Sequence, residues 1–404
     1  MPRTKKTADA NSMKETIKET IKKEMTEKLS DKKTDKKTDS EINNETNNEI
    51  NNETINKNNT KSVTVKTTKR IVKKDTKKDS KKDTKKESIK KEDIKKEDKP
   101  EVKKALLSTP VAFIIFNRPD TTKRVFERIR EARPEKLYII SDAPREGRED
   151  DVEKVAQTRE YVENNIDWDC EVHKNYAETN MGCKMRVSSG ITWVLQNEKS
   201  TIILEDDVLP SPDFFRYCHD MLEHYENNKR VMMISGSNFQ ANQKIDGQYT
   251  FSCYPSVWGW ATWARAWKNY DVDITDWPEI KKNGTFRCVQ NGMAYVFLKK
   301  HMDSVYNHEK DTWDYQWDFC RYKYRGLGII PKENMIENIG LNREDATHTT
   351  GHSDMTFEIG KMEFPIEFKD DVKRDVDYDA AYIKKNFGTK KVMEILKRKL
   401  KGDK

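Results

Sequence analysis

Every aromatic residue of this 404-residue chain lies beyond position 104, and that asymmetry decides where a fold can exist. Residues 1–104 hold no Phe, Trp, Tyr, Gly, His or Cys, while the rest carries all 9 Trp, 15 Tyr and 14 Phe. Ordering a residue costs roughly 1–2 kcal/mol of backbone entropy, and a segment without large apolar side chains has no burial to offset it. An Asn-rich run over 42–59 and Lys-Lys-Asp/Glu repeats from Lys73 to Lys99 are low-complexity sequence. From Met13 to Leu29, Ile and Met recur between charges, a coiled-coil-like stretch with some helical tendency. Residues 1–104 therefore read as a disordered tail.

Charge divides at the same place. The first 104 residues carry 32 Lys+Arg against 21 Asp+Glu, a net of +11; the whole-chain totals of 77 and 70 leave 45 and 49 for the remainder, a net of −4. The tail's lysine blocks allow weak contacts with acidic surfaces. Acidic residues interrupt nearly every Lys pair, so a solvated linker is the plainer reading. No stretch approaches the roughly 18 apolar residues of a membrane span, and Met1-Pro2-Arg3-Thr4-Lys5 lacks the apolar core of a secretory signal. The expectation is a soluble, cytoplasmic protein. Its six scattered cysteines, without a Cys-x-x-Cys pair, predict reduced and mostly buried thiols and no zinc site.

From Pro110 onward strands and helices alternate. The apolar run Pro110–Phe116 suits a strand buried on both faces, and Asn117-Arg118-Pro119-Asp120 breaks it. A helix over Thr121–Ala132 follows, capped by Asp120 or Thr121. The pattern repeats as strands over Leu137–Ile140, Cys170–Val172, Thr201–Leu204 and Val231–Ile234, separated by helices over Val152–Val162, Met185–Gln196 and Asp213–Glu226. Such alternation predicts an α/β fold, a Rossmann-like, mostly parallel sheet flanked by helices, with a binding crevice beyond the carboxyl ends of its strands. Asn117-Arg118, Asp142 and Glu205-Asp206-Asp207 all stand at such ends. After Ser235 the rhythm weakens into a Trp-rich stretch, helices over Gly292–Tyr306 and Thr312–Arg325, and a Gly/Thr/His-rich segment over Gly340–Asp354. The predicted organisation is a tail over 1–104, a catalytic domain over 105–355 and a partly helical extension over 356–404.

Three consecutive carboxylates after a buried strand repel one another unless a cation or hydrogen bonds compensate. Mg²⁺ or Mn²⁺ on a diphosphate supplies such a cation, since hard oxygen ligands suit both. The competing reading is an acidic loop that caps the helix opening near Asp213.

The stretch Ile202-Ile203-Leu204-Glu205-Asp206-Asp207-Val208-Leu209-Pro210 resembles the Asp-x-Asp region of GT-A-fold, nucleotide-diphospho-sugar glycosyltransferases. It is especially similar to the N-acetylglucosaminyltransferase I family and related bacterial sugar transferases. Further matches follow in order over about 108–352: Pro110–Arg118, Ser141-Asp142, Trp258-Gly259-Trp260-Ala261-Thr262-Trp263, Trp313-Asp314-Tyr315-Gln316-Trp317, and Asn338-Ile339-Gly340 through Thr349. The resemblance implies metal-dependent, inverting transfer of a sugar from a nucleotide-sugar donor, UDP-linked by preference, to a glycan, glycoprotein or glycolipid hydroxyl.

It also implies roles. Asp207 holds Mn²⁺ (or Mg²⁺), Asp206 the ribose, and Glu205 the donor sugar or its network. Asn117 and Arg118 face the base or diphosphate, and Asp142 contacts uracil or, alternatively, caps the turn before Pro144. Asp314 is the general base, with Asp318 one helical turn on as the rival. His348 either joins the metal when its loop closes or is, like His352, an exposed loop histidine. In the tryptophan cluster Trp258, Trp260, Trp263 and Trp267, the spacing from Trp260 to Trp267 reads as one buried helical face, with Trp258 or Trp260, in the Gly-containing turn, alternatively stacking on a sugar. Two other readings compete: a sugar-phosphate nucleotidylyltransferase, against which Asn117-Arg118-Pro119-Asp120 lacks a Gly-rich triphosphate loop, and an inactive binding module, against which the triplet and Asp314 stand.

Overall fold

The computed structural model describes residues 102–240, 243–284, 286, 292–343 and 358–388. Residues 1–101 of the tail, His348, His352 and Cys288 lie outside the described residues.

The first half follows the alternation closely: β1 (Val111–Ile115), α1 (Pro119–Ala132), β2 (Lys136–Ser141), α2 (Glu149–Asn164), β3 (Glu171–Tyr176), α3 (Gly182–Asn197), β4 (Ser200–Glu205), β5 (Val208–Pro210), α4 (Asp213–His224) and β6 (Val231–Ser235). All five side chains of β1 are buried, as a strand covered on both faces requires. The first helix opens two residues earlier than expected, with Pro119 in its first turn and no side-chain cap; Asp120 lies inside it.

Then come β7 (Tyr249–Ser252), β8 (Trp260–Trp263), α5 (Ala264–Trp267), α6 (Trp277–Asn283), α7 (Gly292–Tyr306), α8 (Asp314–Lys323), β9 (Leu327–Pro331), β10 (Ile336–Asn338) and α9 (Val376–Phe387). Trp260–Trp267 is thus a strand followed by a single helical turn, not the one helix expected. Its tryptophans are core all the same. Trp260, Trp263 and Trp267 are buried, whereas Trp258 is half-buried with its ring edge against Phe239. Along β8 the side chains alternate, so Trp260 packs with Trp313 and Trp317 on one face of the sheet while Trp263 joins the core on the other.

Eight strands form one sheet in the order β3-β2-β1-β4-β8-β6-β9-β7, and β5 pairs with β10 in a separate ribbon. The pairs β1–β2, β2–β3, β1–β4 and β6–β9 are parallel, while β8 runs antiparallel between β4 and β6 and β7 antiparallel beside β9. From β1 the chain winds outward through β2 and β3, then returns to place β4 on the opposite side of β1. The gap between β1 and β4 is therefore a topological switch point, where the flanking loops diverge and leave a crevice. The five described cysteines are all unpaired, and Cys218, Cys253 and Cys320 are buried. Among the described residues no helix is long and apolar enough to cross a membrane.

Candidate active site

The switch point carries the acidic triplet. Glu205 ends β4, and Asp206-Asp207 form the turn into β5, so the triplet sits between two strands and not at a helix entry. Beside it, the loop leaving β1 supplies the backbone N–H of Phe116, which donates to Asp206 Oδ2 at 2.9 Å, and Arg118, whose Nη1 lies 2.7 Å from Asp207 Oδ2 and 4.0 Å from Asp206 Oδ1.

One guanidinium does not neutralise three carboxylates. Burial and the charges of Asp207, Asp206 and Asp314 push Glu205 up to about 8, against the pull of Arg118. Burial and Asp207 push Asp206 up to about 7. Asp207 is raised as well, chiefly by burial, with Arg118 and Arg343 opposing. An excess of negative charge held in a crevice is what a divalent cation on a diphosphate would relieve.

The ribbon closes over this turn. Asn338 of β10 stands opposite Val208 of β5, and the Ile339 N–H donates to the Asp207 carbonyl at 2.8 Å. Gly340 comes next, and a Cβ there would collide with the Asp207 carboxylate. The segment singled out in sequence as a late loop thus departs from the triplet itself.

Asp314 opens α8, with Thr312 Oγ1 and the Tyr315 N–H donating to its Oδ1. Its charge raises Glu205, Cys183 and Tyr270. Behind α8, Trp260 stacks on Trp313 at 5.6 Å and 19°, and the Tyr270 hydroxyl donates to the Trp313 carbonyl at 3.1 Å. Asp318, the rival base, is ion-paired with Arg321, which is wholly buried. Burial and the Asp314 charge raise Asp318 to about 6 despite that pairing.

Two predicted donor contacts are already engaged by protein. Asp142 accepts backbone N–H groups from Ala143, Met181 and Gly182 at 2.9–3.1 Å. It therefore caps the first turn of α3 across the chain as well as the turn before Pro144. Asn117 Nδ2 donates to Asp151 Oδ1 at 2.6 Å, and Asp151 is also clamped by Arg145 through two nitrogens. Sequence reading missed Asp311, whose carboxylate takes the N–H groups of Cys183 and Lys184 at 3.0 and 2.9 Å. Asp142 and Asp311 together accept the N–H groups of Gly182, Cys183 and Lys184 at the amino end of α3, where Gly182, at φ +74°, leaves room for the Asp311 carboxylate. No local signal marks Asp311, because its partners lie 127 and 128 residues away.

Among the described residues no three His, Cys, Asp or Glu side chains converge as a metal cage. The triplet still fits Mg²⁺ or Mn²⁺, which are commonly held by one or two carboxylates together with substrate phosphates and water.

A family model described as the GNT-I family matches residues 15–284, two thirds of the sequence. The chain belongs to the GNT-I family. That family is one of glycosyltransferases. The match takes in Asn117, Arg118, Asp142 and the triplet and ends before Asp314. No curated protein matches the chain. Solved structures similar in part include GalNAc-T7 with UDP, GalNAc and Mn²⁺ (12% identity, 42% of this chain and 38% of that one, TM-score 0.30). UDP-glucose pyrophosphorylase complexed with UDP-glucose is also similar (10%, 36% and 63%, TM-score 0.21). So is 4-diphosphocytidyl-2C-methyl-D-erythritolsynthase from Anaerococcus prevotii (9%, 40% and 75%, TM-score 0.25). This GNT-I family member thus spans well under half the length of GalNAc-T7.

Proposed function

We propose that this family member transfers a sugar from a UDP-sugar to an acceptor hydroxyl, with inversion and with Mn²⁺ or Mg²⁺. One observation carries the reading: at the switch point Arg118, from the loop after β1, lies 2.7 Å from Asp207 in the acidic turn after β4, and the charge of Asp314 raises Glu205 in that turn. In this reading Asp207 is the protein's ligand to the metal and Asp206 takes the ribose. Glu205 takes the donor sugar, and Arg118 moves from Asp207 to the base or diphosphate, for which its fork is shaped. Asp142, which already accepts three backbone N–H groups, takes an N–H of the base at its one remaining lone pair, and Asn117 contributes through its backbone, since its side-chain amide holds Asp151. When bound, the metal neutralises charge on the departing diphosphate. Asp314 removes the proton of the acceptor hydroxyl as the sugar carbon is attacked from the opposite face. The acceptor is a glycan, glycoprotein or glycolipid; the tail, where it touches anything, makes weak contacts with acidic surfaces. His348, outside the described residues, is a second metal contact in this scheme.

Incubation with a panel of UDP-sugars and Mn²⁺ tests the reading, because slow donor hydrolysis releases UDP without any acceptor. Release should stop in chelator, return with Mn²⁺ and be lost in Asp207→Ala. Full release in chelator without metal would refute the metal assignment.

A further inference from the structure

Four residues along α8 from Asp314, about 6 Å along the helix axis, Asp318 lines a cavity of about 320 Å³ that no step above uses. Its other walls include Tyr254 from the β7–β8 connection, His301 from α7, Tyr315 and Tyr322 from α8, and Tyr382 from α9. Several features mark it as built for a ligand. The Asp318 side chain is one-third exposed, yet its partner Arg321 is fully buried and also donates to the Cys253 carbonyl at 3.2 Å. Burying a guanidinium carries a heavy desolvation cost, and here it holds one carboxylate at the edge of a cavity. The aromatic walls are paired in advance: Tyr254 stacks on Tyr382 at 4.7 Å and 12°, and His301 on Tyr315 at 4.9 Å and 12°. Tyr315, Tyr322 and Tyr382 line the cavity together with Asp318, and burial and the Asp318 charge raise all three phenols.

A cavity that combines one carboxylate with several phenols and flat rings matches a neutral sugar. The hydroxyls of a sugar ring donate to the carboxylate and accept from phenols, while its C–H face lies on an aromatic ring. The volume is at the lower end of the roughly 300–1,000 Å³ of small-molecule sites. Tyr315 lines the cavity, and its N–H donates to Asp314 Oδ1 at 2.9 Å, so the cavity lies beside the base. We propose that this cavity is the acceptor subsite: it holds a neutral sugar ring of the acceptor, hydrogen-bonded to Asp318, and excludes acidic sugars through the same carboxylate. The proposal rests on the reading of Asp314 as general base, because it needs the acceptor hydroxyl to leave the cavity toward that residue.

The test uses the full chain with Mn²⁺ and UDP and saturation-transfer NMR on methyl glycosides of glucose, galactose, mannose, N-acetylglucosamine and glucuronic acid. At least one neutral glycoside should give transfer and the glucuronide none. Asp318→Asn and Tyr382→Ala should each weaken neutral-glycoside binding by about tenfold or more. Tyr382→Phe, which keeps the ring and loses one hydroxyl, should weaken it by a smaller factor and covers the case in which the alanine variant does not fold. UDP titrated into the same samples separates the two readings. UDP binding without any neutral-glycoside signal, or glycoside affinity equal in wild type and variants, overturns the subsite and leaves the donor site standing. Absence of UDP binding overturns the nucleotide-sugar reading and the subsite with it.

Discussion

Asp207 faces the crevice partly because Gly340 has no side chain. Gly340→Ala should push that carboxylate aside and lower the affinity for Mn²⁺ and UDP together by about tenfold or more. Isothermal titration checks this, and unchanged affinity would mean the ribbon has slack at that point. The pKa shifts of the triplet give a second expectation. Glu205 at about 8 and Asp206 at about 7 are both raised, so the folded, metal-free domain holds protons that the unfolded chain releases near pH 4. Their contribution to stability is complete at low pH and is lost as pH rises through 7 and 8. Asp318 at about 6 and His301 at about 4 have largely titrated below that window. Melting temperature without metal should fall between about pH 6.5 and 8.5, and Glu205→Gln should flatten the fall. A melting temperature that rises over this range in wild type would contradict the assigned shifts. Asp314→Asn should retain UDP binding and lose about 10²–10⁴-fold in transfer rate, the usual worth of a positioned base. Turnover equal to wild type would remove Asp314 from the mechanism.

At the scale of elements, α8 matters because it carries the proposed base, and its position depends on α3. The loop before α8 is pinned where Asp311 accepts two N–H groups from the amino end of α3, and the Trp260–Trp313 stack supports it from behind. Asp311→Ala should cost about 1 kcal/mol of stability, as loss of a helix cap does. If the pinning also orients Asp314, kcat should fall while UDP affinity stays unchanged. Urea unfolding and steady-state kinetics separate the two effects, and an unchanged kcat would make Asp311 a cap and nothing more. These contacts also explain what sequence could and could not reveal. The strands β1, β2, β3, β4 and β6 were legible because apolar runs such as Val111–Ile115 alternate with amphipathic helices, the three-residue β5 was not, and the triplet was legible because it interrupts such a run. After Ser235 the helices over Gly292–Tyr306 and Asp314–Lys323 were legible and the strands were not. Strands such as Tyr249–Ser252 and Trp260–Trp263 have four residues each, and their antiparallel places come from partners distant in sequence. The spacing of Trp260, Trp263 and Trp267 mimics a helix while encoding a strand and one turn. The tyrosine-lined cavity was illegible too, since its walls come from α7, α8, α9 and a loop.

Across the whole molecule, the sequence puts its aromatic residues and its basic excess in different regions, so the charge of the chain says little about the site. Deleting residues 1–100 should leave the melting temperature of the remainder nearly unchanged, because a segment without aromatics has little apolar area to bury. Differential scanning calorimetry on the two chains checks this, and a drop of several degrees would show that the tail packs on the domain. Segment 358–388 differs in kind. Its Asp379 is buried, receives hydrogen bonds from Ser252 and the Cys253 N–H, and pairs with Arg374, while Tyr382 of α9 lines the cavity. The account as a whole stands on the switch-point crevice being a metal-dependent nucleotide-sugar site. Isothermal titration of UDP into the full chain tests that directly, with Mn²⁺ and with chelator, for wild type and Asp207→Asn. The account predicts Mn²⁺-dependent binding in wild type that falls by about tenfold or more in Asp207→Asn, with the fold intact. UDP affinity that is the same with Mn²⁺ and with chelator, and the same in both proteins, would contradict it.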